Sequence, residues 1–393
     1  DQGGQVVHAT LAEKLLLPAL AKLSNLAADG GIWLNTQRPE WNDANNALSG
    51  YGLSMVTLCY LRSYLAFCRA RFDEGPEALQ LSPPALKWLK AVCDGLVQHQ
   101  QATNDRTTPT LRRALLDLLG QAYGDYREAT YGDLDATSFR TEEVSSSAVM
   151  GLCDVALVWC DRAIARNRRQ DGLLHGYNVL ELADDSADVG RLPKMLEGQV
   201  ALLNSGTLDA KATVDLIDAC LDSDLYRADQ QTFMLYPVQP RLSFFERNVL
   251  PVSYLGGSPL LSALAGAEDV RLLRRDAAGA LRFAPELTNA AALDAALDEL
   301  ATSSRWRSLV EDGRSAAHRA YEAVFQHAAF TGRSGTMHKY EGIGCIYWHQ
   351  VTKLLLAVQE AFFAAHSAGD DAAGALAERY HLLQRGLGTH KAP

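Results

Sequence analysis

The sequence lacks the patterns that mark several large classes of protein. Its seven cysteines form no CxxC pair and no zinc-ligand spacing, and their odd number argues against a complete disulfide framework. The 47 acidic residues outnumber the 37 basic ones, so the clustered positive charge that nucleic-acid binding requires is not expected. The signatures of metalloproteases, α/β-hydrolases, P-loop NTPases and Rossmann enzymes are also missing, which leaves those interpretations without support.

Long apolar runs are missing as well. The long uncharged stretch 248–267 is broken by Pro251, Gly256, Gly257 and Pro259, whereas a membrane-spanning helix needs about 20 predominantly apolar residues. The sequence therefore predicts a soluble protein, cytoplasmic or periplasmic, with no membrane span, no nucleic-acid partner, no metal and no resident cofactor. The oligomeric state is left open.

Helix-forming residues dominate what is present. Leucine and alanine are abundant while isoleucine occurs five times, a balance that favours helices over strands. Apolar residues recur with helical periodicity along most of the chain. The predicted helices are 8–28, 50–72, 83–101, 109–123, 141–168, 191–204, 207–222, 289–302, 304–329, 344–366 and 370–386. Short extended pieces are predicted at 173–182 and 232–240.

The predicted helices are of two kinds. Segments 52–68 and 344–363 are apolar on nearly every face, as helices buried on both sides are, whereas 109–123 and 304–329 carry their charges on one face. An inner ring of buried helices surrounded by amphipathic outer helices predicts an all-α fold, an (α/α)6-type helical toroid with long loops and few short strands. A plain multi-helix bundle is the alternative.

We predict a single toroid domain over 1–393. Within it, the irregular stretch 223–288 is predicted to be a loop insertion or lid, because structureless loops of that length are usually functional. The first residue is Asp1 rather than Met, so a processed or partial chain, such as the C-terminal part of a longer protein, is an open alternative.

One polar segment with functional potential, 38–46, precedes a predicted buried helix. It combines the carboxylates Glu40 and Asp43 with the indole of Trp41. It also contains the amides Asn42 and Asn45. Sugars are bound by this mixture, because an aromatic face packs on the C–H surface of the ring while amides and carboxylates bind the hydroxyl groups. Helix capping is the structural alternative, but capping does not require an indole, so a sugar site is favoured.

A second segment, 330–344, is rich in glycine and hydroxyl residues and precedes the last long buried helix. Its candidate anion ligands are Arg333, Ser334, Thr336 and His338. A helix N-terminus is itself favourable for anions, which supports this interpretation. Tyr340 offers a ring for sugar stacking, and Glu341 lies beside a glycine, where its carboxylate is predicted to face a cleft. A glycine-rich connector with solvated charges is the structural alternative.

Three isolated residues are further candidates. His175 and Tyr177, in the sequence DGLLHGYN, are predicted to line a sugar subsite, although an ordinary polar turn fits them equally well. Glu197 is a carboxylate flanked by apolar residues and is a candidate to bind a hydroxyl group.

The two polar segments resemble motifs of one enzyme family. Glu40-Trp41-Asn42-Asp43, followed by Asn45, resembles the Asp-Trp-Asn-Asp-Gly-Met-Asn motif of the cellobiose phosphorylase family. Phe330-Thr331-Gly332, Ser334-Gly335 and Met337 resemble that family's Tyr-Thr-Gly-Ser-Ala-Gly-Trp-Met loop, which helps to hold phosphate. The resemblance implies an (α/α)6 barrel, with Asp43 as the general acid. Related inverting glucosidases and trehalases share this barrel and place a glutamate base shortly before the last inner helix, which is where Glu341 lies.

The carboxylates and the resemblance together predict an inverting glycoside hydrolase that acts on an oligo- or polysaccharide. Asp43, protonated in a partly apolar pocket, donates to the leaving oxygen, and ionised Glu341 activates water on the opposite face of the sugar ring. The first alternative is a glycoside phosphorylase, in which inorganic phosphate is the co-substrate and is held by the candidate anion ligands. The second alternative is a non-catalytic toroid that binds a glycan or a protein.

The predicted toroid also carries a geometric expectation. If the inner helices run parallel, the loops that precede them open on one rim, so Asp43 and Glu341 are expected to line one cleft with Trp41 and Tyr340 as its walls. An inverting hydrolase requires the two carboxyl groups to be about 6.5–9.5 Å apart.

The role of Asp43 can be tested by substitution. Asp43→Asn is expected to lower turnover of unactivated substrates by about 10²–10⁴-fold while the fold survives, because the amide keeps the size of the side chain and loses only the transferable proton. Steady-state kinetics with a thermal unfolding control measure both effects. An unfolded Asp43→Asn protein would support helix capping instead of acid catalysis.

Overall fold

The computed structural model describes residues 8–35, 48–100, 107–131, 140–237, 242–267, 269–325 and 346–388. Within these residues the chain forms fourteen helices and eleven short strands. The helices are α1 (Leu11–Leu23), α2 (Met55–Asp73), α3 (Pro83–Gln100), α4 (Pro109–Tyr131), α5 (Ser146–Arg166), α6 (Leu196–Leu203), α7 (Ala210–Leu221), α8 (Phe244–Arg247), α9 (Val252–Gly256), α10 (Pro259–Gly266), α11 (Ala290–Ala301), α12 (Arg307–Phe325), α13 (Trp348–Ala368) and α14 (Ala373–Gly386). The predicted predominance of helices is confirmed, and the toroid stays a prediction.

The eleven strands are short, and the extended pieces predicted at 173–182 and 232–240 contain two of them. They are β1 (Leu26–Ala27), β2 (Gly31–Trp33), β3 (Gly52–Ser54), β4 (Ala78–Leu81), β5 (Glu142–Ser145), β6 (Tyr177–Leu182), β7 (Ala187–Arg191), β8 (Tyr226–Arg227), β9 (Thr232–Phe233), β10 (Leu273–Arg275) and β11 (Leu281–Phe283). β1, β2, β3, β6 and β7 form one antiparallel sheet in that order, and the remaining strands form two-stranded pairs. The sheet brings the start of α2 next to β6, since β3 leads directly into α2.

The chain divides into two compact units. The first consists of residues 1–238 and 342–393, and the second of residues 239–341. The sequence predicts a single domain over 1–393 with a loop insertion or lid at 223–288, and that domain assignment stays a prediction. Within the described residues, that range contains β8, β9, α8, α9, α10, β10 and β11, so it is not one structureless loop, and the boundary at 239 falls inside it.

The turn between β1 and β2, at residues 28–30, connects the sheet to the helices. The residues of this turn are buried, and each of its three consecutive carbonyl groups accepts a hydrogen bond from a side chain. The donors are Arg112 of α4 to Ala28 at 2.7 Å, Asn167 at the end of α5 to Asp29 at 3.0 Å, and Asn178 of β6 to Gly30 at 2.7 Å. Buried carbonyl groups must be paired, so these side chains fix the turn in place.

Asp29 is the centre of this polar network. Its backbone is left-handed, with φ of 59°, and its carboxylate forms an ion pair with Arg162 at 3.1 Å. Arg191 of β7 donates both to the Asp29 carbonyl, at 3.3 Å, and to the side-chain oxygen of Asn167. Burial lowers the pKa values of Arg112 and Arg191, and the negative charge of Asp29 opposes that lowering. The carboxylate therefore helps to keep buried guanidinium groups charged.

Helices α2 and α5 pack against each other in antiparallel orientation. Two ion pairs connect them, Arg62 with Asp161 at 2.8 Å and Arg69 with Asp154 at 2.6 Å. From the first pair to the second, the residue number rises by seven in α2 and falls by seven in α5, so the two helices are antiparallel. Four buried thiols lie on the same pair of helices: Cys59, Cys68, Cys153 and Cys160.

The predicted burial on nearly every face is largely seen in α2 but not in α13, which buries one stripe and exposes about half of its residues. In α2, residues such as Leu58, Cys59 and Leu65 are almost inaccessible, but Tyr60 and Phe67 are exposed on one stripe. In α13, Val351, Leu354 and Val358 are buried, while Trp348, Leu356 and Phe363 are exposed. Each helix therefore has one accessible side as well as a buried one.

The second unit has an apolar core of its own. Its members come from 250–324: Leu250, Leu260, Leu261, Leu264, Leu272, Leu273, Leu281, Phe283, Ala284, Leu287, Leu293, Leu297, Leu300, Trp306, Val310, Ala317, Ala320, Tyr321 and Val324. Asn248 exchanges two hydrogen bonds with the backbone of Phe283, both at 2.9 Å, and so attaches the start of the unit to the β10–β11 hairpin. A contiguous core is what an independently folding unit requires.

Among the described residues, no helix is both long and apolar enough to span a membrane.

The second unit is expected to fold alone. A fragment of residues 242–325 should unfold in one cooperative thermal transition, because its core draws only on residues within that range. Leu297→Ala in the fragment is expected to lower the free energy of unfolding by about 2–5 kcal/mol, since Leu297 is fully buried. Val252→Ala is the matched control: Val252 is exposed, and a change within about 0.5 kcal/mol is expected. Equal effects of the two substitutions, or a fragment without a cooperative transition, would contradict the assignment.

Candidate functional site

Most of the sequence-predicted site residues lie outside the described residues. These are Glu40, Trp41, Asn42, Asp43, Asn45, Arg333, Ser334, Thr336, His338, Tyr340 and Glu341. The shared cleft expected for Asp43 and Glu341 therefore stays a prediction. His175 and Tyr177 are described, and so are both ends of the chain segment that carries Asp43.

The ends of the segment 36–47 are held together where β2 and β3 pair. The Leu34 N–H donates to the Gly52 carbonyl at 2.9 Å, and the Gly50 N–H donates to the Leu34 carbonyl at 2.6 Å. Gly50 has a positive φ of 91°. At Gly52 a Cβ atom would lie 2.3 Å from the Leu48 side chain, so only glycine fits there. These hydrogen bonds hold together the described residues on either side of 36–47, shortly before the N-terminus of α2.

The N-terminus of α2 is capped by two elements. The Ser54 hydroxyl oxygen accepts from the Thr57 N–H at 2.9 Å, as an N-cap residue does. The Gly176 carbonyl accepts hydrogen bonds from the first two N–H groups of the helix, those of Met55 at 3.0 Å and Val56 at 3.3 Å. Since the first N–H groups of a helix have no partner within the helix, this arrangement ties residue 176 to the start of α2.

The N-terminus of α6 meets the same residue. Gly198, in the first turn of α6, lies so close to Gly176 that a Cβ atom on Gly198 would be 2.8 Å from the Gly176 Cα. The Gln199 side chain donates to the Leu174 carbonyl at 2.9 Å and accepts from the Leu174 N–H at 2.8 Å. The first turns of α2 and α6 therefore converge on residues 174–176.

Tyr177 and Glu197 come together at this convergence. The Tyr177 hydroxyl donates to Glu197 Oε2 at 2.9 Å. Tyr177 is 1% exposed and Glu197 is 8% exposed, so the carboxylate is buried and the phenol ring is fully enclosed. Because its ring is enclosed, Tyr177 does not line an open sugar subsite, and its hydroxyl instead holds the Glu197 carboxylate.

Tyr60 is the aromatic residue of the same region. Its ring is 40% exposed on α2. Burial is the largest cause that raises the pKa of Tyr60, a hydrogen bond with Asn204 lowers it, and the carboxylates of Glu197 and Glu360 raise it. The charges of Glu197 in α6 and Glu360 in α13 therefore disfavour ionisation of this phenol.

His175 precedes this pair in the chain and is half-buried. Its Nδ1 is 2.9 Å from the Leu192 carbonyl. A carbonyl only accepts, so Nδ1 carries the proton. Burial lowers the pKa of His175, and the nearby Arg169 and Arg191 act in the same direction, although the hydrogen bond to Leu192 opposes them. The imidazole is therefore neutral at pH 7, with Nε2 as its acceptor.

An acidic groove at α7 is a second concave surface of the first unit. It is lined by Asp171, Lys194, Asp215, Asp218, Ala219, Asp222, Ser223 and Asp224. Several of these carboxylates have cationic partners: Asp171 and Asp224 pair with Lys194, and Asp218 pairs with Arg379. Of these pairs, Asp218 with Arg379 connects α7 to α14. Within the described residues, no group of three or more His, Cys, Asp and Glu side chains is arranged to hold a metal ion.

The structure brings together two residues that were separate candidates in the sequence, and it shows further residues at the same place that the sequence did not indicate. Tyr177 and Glu197 were separate candidates, and the structure shows their contact. Tyr60, Gly176 and Gly198 were missed. The two glycines flanking polar candidates, in HGYN and LEGQ, were the signal for a close backbone approach, whereas nothing in the sequence distinguished Tyr60 from a core aromatic residue.

A comparison with family models gives a match in the second unit. Residues 242–328 match the model described as GH149 phosphorylase insertion domain 2. This range lies within the compact unit 239–341 and contains its apolar core. No curated protein matches the chain to a significant degree. The match supports a phosphorylase-like, carbohydrate-active protein with a carbohydrate substrate.

The close contact of α6 with residue 176 can be tested by adding one methyl group. Gly198→Ala is expected to lower the free energy of unfolding by about 1–3 kcal/mol, because the new Cβ meets backbone atoms that cannot move aside. Gly151→Ala is the matched control: Gly151 lies in α5 with open space around it, and there alanine is expected to stabilise the protein by up to about 1 kcal/mol. Chemical denaturation measures both variants. A stabilising Gly198→Ala would show that the two backbones are not in contact.

Proposed function

We propose that this protein is a glycoside phosphorylase, which cleaves a glycosidic bond with inorganic phosphate. The observation that carries the proposal is the match of residues 242–328 to a phosphorylase insertion domain. The resemblance of the segments around Asp43 and Ser334 to the cellobiose phosphorylase family supports the same activity from two other parts of the chain. Because these observations favour phosphorolysis, the hydrolase that the sequence first suggested becomes the second candidate.

In the proposed mechanism Asp43 is the general acid. Its proton passes to the glycosidic oxygen as the bond from that oxygen to the anomeric carbon breaks, and the leaving sugar departs as an alcohol. An oxygen of phosphate attacks the anomeric carbon from the opposite face and forms the new C–O bond. The products are a free sugar hydroxyl and a sugar 1-phosphate with inverted configuration.

The proposed phosphate ligands are the donors of the second polar segment. They are Arg333, Ser334, Thr336 and His338. Guanidinium and hydroxyl groups suit a phosphate dianion, because charge-assisted hydrogen bonds to phosphate oxygens are short and strong. The proposed sugar-binding residues are Glu40, Trp41, Asn42, Asn45, His175 and Tyr340. The proposal needs no metal and no resident cofactor.

The described residues support this proposal by what they do to the segment that carries Asp43. Pairing of β2 with β3 closes the base of the segment, and capping of α2 by Ser54 and Gly176 fixes the point where it ends. A general acid must be held close to the leaving oxygen, since small misplacements cost large factors in rate. The described residues on either side of the segment give it fixed points of attachment.

Hydrolysis and phosphorolysis differ in the role they assign to Glu341. In a hydrolase Glu341 is the general base that activates water, whereas in a phosphorylase the nucleophile is phosphate and Glu341 is not needed as a base. A non-catalytic glycan-binding protein requires neither step.

A phosphate-dependence assay tests the proposal. The protein is incubated with a panel of glucose disaccharides and oligosaccharides that includes cellobiose and trehalose, with and without inorganic phosphate. We expect turnover only with phosphate, and ³¹P NMR should show a sugar 1-phosphate whose anomeric configuration is opposite to that of the cleaved bond. Asp43→Asn is the matched inactive control.

Two results would contradict the proposal. Sugar release at the same rate with and without phosphate would assign the protein to the hydrolases, and Glu341→Gln should then abolish it. Binding of an oligosaccharide without any cleavage would support the non-catalytic alternative.

A further inference from the structure

We draw no further inference here: the strongest candidate, the exposed apolar surface patch of the second unit formed by Leu242, Phe244, Phe245, Val249 and Val252, carries none because nothing in the described part of the structure shows what covers it.

Discussion

The need to pair three consecutive buried carbonyl groups, those of Ala28, Asp29 and Gly30, determines how the first unit is assembled. Backbone groups in this turn have no strand partner, so side chains from α4, α5, β6 and β7 supply the donors. Because β2 follows the turn and β3 pairs with β2, the same contacts fix the sheet at the start of α2. The candidate site therefore depends on a polar network behind it, and the Asp29 carboxylate offsets the cost of burying guanidinium groups there.

The second unit has an apolar core that is separate from the polar network of the first unit. Its apolar core is formed by residues 250–324 alone, and the family match covers nearly the same range. An insertion with its own core adds a folded body to a chain without requiring the surrounding residues to change their packing.

Long elements were predictable from the sequence, and contacts between distant short elements were not. Each of the eleven predicted helical ranges contains a helix, because most of these helices extend over several turns and show apolar periodicity. Three of the ranges were drawn too long and include β1, β3 or β5, and the short helices α8, α9 and α10 lie in the stretch predicted to be irregular. The five-stranded sheet was missed because β1, β2 and β3 have only two or three residues each, and β3 pairs with β6 more than a hundred positions away. Similarly, Tyr177 and Glu197 were recognisable as polar candidates, but their contact depends on the approach of Gly176 to Gly198, which no local pattern encodes. The roles of Asp43 and of the phosphate ligands rest on motif resemblance and stay predictions.

The buried thiols between α2 and α5 give the protein an internal chemical reporter. Burial raises the pKa values of Cys59, Cys153 and Cys160, so almost no thiolate is present at neutral pH and alkylating reagents find neither charge nor access. Alkylation of these thiols therefore requires the two helices to separate first. The rate of labelling at these cysteines therefore reports how often α2 and α5 separate locally. It can be followed by mass spectrometry in the native protein without an added probe.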